Sequence, residues 1–395
     1  MIRKALLLKI FSAACLQRWN DRIRPAELTE MDKQAHKMIT AYFIGKFEES
    51  KAGFDWVRII EGGIFELLQR VVLTDLKPPI FYRIKEDKSK YRQLNEWVCR
   101  QLEPILLPVG GDFYRRFEEY LSADEQTLNR RILSAAHFYA TKWEFDILER
   151  AHPNGYETKA IRSRLEDAQS RFSDLKGVAL LNEYNPYRDF IDLCGQLRFQ
   201  MRWANIHRVP KTSVLGHSLF VAVLSYLFSL QVDACARRRS NNFFTGLFHD
   251  LPEVLTRDII SPVKRSIEGL ESLIKEYERE MMEKVVYRLI PQEWRPEIRM
   301  FTENEFESIV FLEGGPKEVS TGEISQSFNR DEFSPRDGEI VKASDRLAAF
   351  IEAYIAIRNG SASPELHEAI WLLKEESSRT ALAGINFKEI YADFE

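Results

Sequence analysis

The chain has little of what would tie it to export, to a membrane or to nucleic acid. Its 395 residues include four cysteines, Cys15, Cys99, Cys194 and Cys235, widely spaced and with no CxxC pair. That excludes a disulfide framework and fits a reducing cytosol. No charge of one sign dominates: 56 Lys and Arg against 60 Asp and Glu leave a net charge of −4, so no global basic field argues for nucleic acid. No apolar run approaches the ~20 residues that a membrane helix needs. The opening MIRKALLLKIFSAAC faintly resembles a signal segment ending on a lipid-modified cysteine, but Lys9 interrupts its short apolar run and the next residues continue an amphipathic helix. Strand-like alternation is scarce. The expectation is a cytoplasmic, all-α globular protein with neither a membrane nor a nucleic-acid partner.

What is present begins with an internal repeat. Arg18-Trp19-Asn20-Asp21-Arg22-Ile23-Arg24-Pro25 resembles Arg202-Trp203-Ala204-Asn205-Ile206-His207-Arg208-Val209-Pro210. Gln34-Ala35-His36-Lys37-Met38 parallels Leu215-Gly216-His217-Ser218-Leu219, and Leu73 to Pro79 parallels Leu255 to Pro262. Ile132 to His137 parallels Val341 to Arg346, which sets Ala136 against Asp345. The first three matches are separated by about 181–184 residues and the last by about 209. The jump implies an insertion in the second copy, for which Glu313 to Asp337, rich in Gly, Ser, Glu and Pro, reads as a loop. The boundary between copies falls between Asp174 and Tyr187, giving a first domain over 1–178 and a second over 179–395. Phe220 to Leu230, Ser266 to Leu289 and Val341 to Ile357 read as helices, the last stopped near Asn359-Gly360. Residues 150–175 read as a solvated helix.

The chemistry lies in the second copy. Gly246-Leu247-Phe248-His249-Asp250-Leu251-Pro252-Glu253 follows a strongly apolar segment. A carboxylate placed there is costly unless it is paired or bound to a metal. His217 lies on an earlier apolar helix and Asp345 on a later one. Two imidazoles and two carboxylates suit one divalent Mn, Fe, Co or Zn ion and leave positions for water and a phosphate oxygen.

In its order of His, then His-Asp, then Asp on separate helices, the second copy resembles the HD superfamily of metal-dependent phosphohydrolases, and within it the bacterial 5'-deoxynucleotidases. Over roughly 188–358, Arg202-Trp203 precede His217 by the family's interval of about fifteen residues. The family's His-Asp-x-x-Glu-Val-Leu-Thr-x-Asp-x-x-x-Pro-Val-Lys stands as His249 to Lys264, and its Lys-x-x-Asp as Lys342 to Asp345. The resemblance implies that His217, His249, Asp250 and Asp345 bind the metal. It implies that Arg202 orients the substrate phosphate, that Trp203 lies against the deoxyribose, and that Glu253 acts in proton transfer. Asp258 would accept from the sugar 3'-hydroxyl, with Ile259, Ile260 and Ser261 lining the same wall. The implied reaction releases phosphate from a (deoxy)nucleoside 5'-monophosphate.

The sequence departs from that pattern at Pro252, which predicts a helix broken after Asp250 and restarted, with Glu253 shifted by the break. It departs again at Gly216, where relatives often carry an acid. In the first copy the His-Asp position falls near Glu61-Gly62 and the final aspartate on Ala136, so that copy is read as catalytically dead and structural or regulatory. Relatives associate as dimers, which makes the tandem copies an internal pseudo-dimer that further homo-oligomers can extend. Arg237-Arg238-Arg239 reads as a solvated face. His137, His152, His207 and His367 have no ligand-like setting, and Asp75 reads as a remnant or a cap. Two other readings stand beside the nucleotidase: hydrolysis of a deoxynucleoside triphosphate, a guanosine polyphosphate or another phosphate ester, and a non-catalytic nucleotide sensor or scaffold that kept its metal.

Overall fold

Helix starts in this chain are set by short polar side chains that take up the free amides of a first turn. Thr29 accepts from the Asp32 amide and Ser213 from the Gly216 amide, while Asp55, Thr127, Asn185 and Asp337 do the same ahead of other helices. The computed structural model describes residues 2–259, 267–361, 363–378, 381–382 and 384–395. In order these are α1 (Lys4–Phe11), α2 (Glu30–Lys46), α3 (Trp56–Leu73), α4 (Pro78–Glu86), α5 (Lys88–Leu106), α6 (Phe113–Ser122), α7 (Leu128–Ala151), α8 (Thr158–Gln169), α9 (Lys176–Asn182) and α10 (Pro186–Gln196). There follow α11 (Val214–Gln231), α12 (Ala236–Phe248), α13 (Glu253–Thr256), α14 (Leu270–Lys284), α15 (Arg295–Thr302), the hairpin β1 (Ile309–Leu312) and β2 (Gly315–Glu318), α16 (Gly338–Arg358), α17 (Pro364–Ser378), a two-residue ladder, and α18 (Phe387–Ala392). The protein is all-α with two minor hairpins. The expected helices at 220–230 and 341–357 are α11 and α16. The one expected over 266–289 is α14 followed by a single 3-10 turn, and its Ser266 lies outside the described residues.

The buried apolar residues form one main cluster that runs from Ile2 to Phe394 and takes side chains from both halves. Helix α1 belongs to it through Leu6, Leu7, Ile10 and Phe11, and its Arg3 pairs with Asp393 near the other end of the chain. Among the described residues α11 is long and apolar enough to cross a membrane, but 89% of it is buried inside the protein, as for a central core helix.

Two loops share one hydrogen-bonded geometry. Gln17 bridges Thr29 and Met201 bridges Ser213. The Arg18 amide donates to Leu28 O at 2.7 Å and the Arg202 amide to Thr212 O at 2.9 Å. Trp19 and Trp203 both take a left-handed backbone, with φ of 53° and 56°. This register pairs Thr29 with Ser213, and so sets Lys33, rather than the His36 chosen by residue type, opposite His217. The left-handed helix ends at Thr74 and Arg257, with the close-packed Gly63 and Gly246, set Glu66-Leu67 opposite His249-Asp250, not Glu61-Gly62. The indole nitrogen of Trp19 donates to Glu144 and that of Trp203 to Glu352, which moves the counterpart of Asp345 from Ala136 to His137.

The segment from Glu313 to Asp337 is not a bare loop. It holds β2, a helical turn that begins with a Ser320–Glu323 capping box, and a 3-10 turn at Asp331–Phe333. It packs on the start of α12, where Asn329 accepts from the Cys235 amide and Asp331 from the Arg237 amide. That end lies about 20 Å along the helix from His249. Arg238, expected to be solvated, is fully buried and paired with Asp337, also fully buried. Arg336 turns inward as well and donates to the carbonyls of Glu303, Asn304 and Glu307 beyond α15.

Candidate metal centre

Three helices bring the candidate ligands together. His217 lies in the first turn of α11, fixed by the Ser213 cap. His249 closes α12 at its C-terminal end. A Cβ at Gly246 would sit 2.8 Å from the backbone of Ala222. The missing side chain therefore lets α12 approach α11 closely enough to bring the two imidazoles to 5.7 Å between centroids. Asp345 comes from α16. One ligand atom from each of His217, His249 and Asp345 fits within 4.8 Å of the others. Asp250 stands beside them, with Oδ1 3.2 Å from His249 Nε2.

The donor set suits a cation. His249 Nδ1 donates to Gly246 O at 2.9 Å, and His217 Nδ1 donates to Glu352 at 3.2 Å. Both rings therefore present Nε2 to the same space, with their tautomers fixed from behind. Asp250 Oδ2 is buried without a hydrogen-bond partner; a missing ligand bond explains such an atom. Burial and Arg202 oppose charge on His217, yet Glu352 and Asp345 outweigh them and lift it to about 9. Burial works the other way on Asp345, but His217, His249 and Arg202 bring it down to about 2. A field that holds a proton on a buried imidazole holds a metal cation in its place.

Arg202 and Trp203 sit at the rim. Arg202 Nε is 3.2 Å from Glu352, and Nη1 faces Asp250 Oδ2 at 3.8 Å. Burial opposes its charge, but Glu352, Asp258, Asp250 and Asp345 keep the guanidinium firmly protonated. The helix breaks as Pro252 predicts: α12 ends at Phe248 and α13 begins at Glu253. Glu253 is buried, its amide donating to Asp250 O at 3.0 Å, and Asp258 and Ile259 follow, half-buried. Ile260 and Ser261 lie outside the described residues.

The residue that sequence reasoning missed is Glu352. It is 1% exposed and accepts from Trp203 Nε1 at 2.8 Å, from Thr212 Oγ1 at 3.1 Å, and from Arg202 and His217. One carboxylate thus orients the proposed phosphate clamp, the proposed sugar contact and a proposed metal ligand.

Comparison with known proteins agrees with this geometry. Residues 194–373 match the HD domain family. A 5'-deoxynucleotidase of Pasteurella multocida (strain Pm70) is 20% identical over 183 residues, which cover 44% of this chain and 76% of that protein. An HD-domain phosphohydrolase of Listeria innocua aligns over 52% of this chain and 88% of its own, at 19% identity and a TM-score of 0.40. The matched segment contains His217, His249, Asp250 and Asp345, with Arg202, Trp203 and Glu352.

Proposed function

We propose that the HD domain removes phosphate from (deoxy)nucleoside 5'-monophosphates. The observation that carries this reading is the convergence of His217, His249 and Asp345 on one point, with Asp250 and the Arg202 guanidinium beside it. His217, His249, Asp250 and Asp345 would hold a divalent ion, which would supply an acidified water and charge for a phosphoryl oxygen. Arg202 offers its outer N–H groups to the phosphate, since Glu352 binds only its Nε edge. Trp203, locked by its indole bond to Glu352, presents a ring to the sugar. Glu253 serves in proton transfer at the water or at the leaving 5'-oxygen. Asp258 accepts from the 3'-hydroxyl, with Ile259, Ile260 and Ser261 along that wall. The similarity to a 5'-deoxynucleotidase supports a monophosphate over longer phosphate chains.

We further propose that the chain arose as two tandem copies, 1–178 and 179–395, paired as an internal pseudo-dimer. The shared loop geometry and the common core support this reading.

The test is phosphate release from nucleoside 5'-mono-, di- and triphosphates, ribo and deoxy, in Mn2+ and Co2+, with Asp250→Ala as control. Release from the deoxynucleoside monophosphates that vanishes in the variant is expected. Release only from triphosphates, or from none of the panel, contradicts the proposal; the latter result points to another phosphate ester or to a sensor.

A further inference from the structure

The first half holds a second constellation at the positions equivalent to the metal centre, and its residue types are altogether different. Lys33 stands where the second half has His217, Glu66 where it has His249, Leu67 where it has Asp250, and His137 where it has Asp345. The contact between the first and last of these is retained in kind: Lys33 Nζ lies 2.6 Å from His137 Nδ1, as His217 Nε2 lies 2.9 Å from Asp345. Lys33 is fully buried. Glu66, at the other ligand position, is held by Lys37 Nζ at 2.5 Å and the Tyr120 hydroxyl at 2.8 Å. The clamp is retained too, since Arg18 Nε pairs with Glu144 at 2.8 Å as Arg202 does with Glu352. Its outer edge differs. Arg18 Nη1 is bound by Glu30 at 2.7 Å, whereas among the described residues Arg202 Nη1 faces Asp250 at 3.8 Å. Glu30 also takes Gln34 Nε2 at 2.8 Å and Arg70 at 3.4 Å. In the second half its position is the apolar Val214.

We propose that the first half carries a self-filled counterpart of the metal centre, in which the Lys33 amine occupies the place of the cation and the Glu30 carboxylate the place of a bound anion. The chain then binds one metal ion and one phosphate ester, both in the second half. This rests on reading the second half as the metal centre. Burial pulls the Lys33 amine down to about 7, with Glu30 opposing, and His137 is held neutral by burial and the nearby Lys33 and Lys37, so the pair needs no further ligand. Glu30, despite its burial, is kept ionised by Arg18, Lys33 and Arg70, as a phosphate in that place would be.

The test uses the full chain. Metal-stripped wild type titrated with Mn2+ should take up about one ion per chain, and His217→Ala/His249→Ala should take up none. An ion retained by the double variant overturns the proposal, because the first half would be holding it. In a second arm Glu30→Ala vacates the outer edge of Arg18, and millimolar inorganic phosphate should raise the Tm of this variant by about 2–4 °C more than it raises that of wild type. The excess should vanish in Glu30→Ala/Arg18→Ala. Glu30→Ser, which also vacates that edge, takes the place of the alanine variant if that one does not fold. No excess over wild type in the variant that folds overturns the proposal. Wild type that takes up no Mn2+ would instead remove the metal reading of the second half, and the phosphate arm would still decide the first.

Discussion

The two halves of this chain share a loop geometry and differ in how their buried polar groups are paired. Each has a capped helix, an Arg-Trp pair on a strained turn, and a buried glutamate that receives the indole N–H. In the first half the polar groups close on one another: Arg18 has two carboxylates, and Lys33 has an imidazole. In the second half Asp250 Oδ2 is buried without a hydrogen bond, and nitrogens of His217 and His249 converge with an Asp345 oxygen on one point. Buried polar groups that find partners inside the protein contribute to stability. Those that do not are available to a ligand, at a cost that ligand binding offsets.

The largest effect that separates the halves is on activity. His249→Ala should abolish Mn2+-dependent phosphate release, while Glu66→Ala, at the matching position, should leave kcat/KM of the folded protein unchanged; steady-state assays of both variants decide this. Equal losses in the two would erase the distinction.

The glutamates sharpen it further. Glu352→Gln loosens Arg202, Trp203 and His217 together and should lower metal affinity or kcat/KM by about 10–100-fold. Glu144→Gln breaks the buried pairs with Arg18 and Arg198 and should cost about 3 kcal/mol of stability, seen in urea titration, with kcat/KM intact.

Acid titration of the Glu30 variant isolates one carboxylate of the first half. Glu30 falls to about 2 in the folded protein from an ordinary 4.5. Its contribution is therefore fully present above pH 4.5 and lost as the pH falls towards 2. It amounts to about 3 kcal/mol. Glu30→Gln should flatten the stability profile over that window, measured by chemical denaturation at successive pH values.

The smallest effect is a control for the shared scaffold. Thr29→Ala and Ser213→Ala remove equivalent helix caps and should each cost about 1 kcal/mol. A similar loss in both would support the register that aligns the halves, and a large inequality would argue against it.

Much of the candidate centre was legible in the chain because its ligands stand beside strong apolar signals. His249-Asp250 ends a buried helix, and His217 and Asp345 lie on others; the structure brings three of the four onto one point. Pro252 broke the helix where its chemistry demands. What escaped was chemistry whose partners are remote in sequence. Glu352 on an amphipathic helix looks like any acid until Arg202, Trp203 and His217 are folded against it. Its signal was the recurrence of a glutamate at the same distance after both members of the last match, Glu144 after His137 and Glu352 after Asp345. Arg238 was hidden in a basic run because its partner Asp337 arrives from the far side of the insertion. His36 was matched to His217 by residue type. The caps Thr29 and Ser213, both plain in the sequence, set the true register and select Lys33.

The most direct test of this asymmetry is a crystal of the full chain grown with Mn2+ and examined by anomalous diffraction. The account predicts one strong peak bounded by His217, His249, Asp250 and Asp345, and none between Lys33, Glu66 and His137. A peak in the first half, or none in the second, would contradict it.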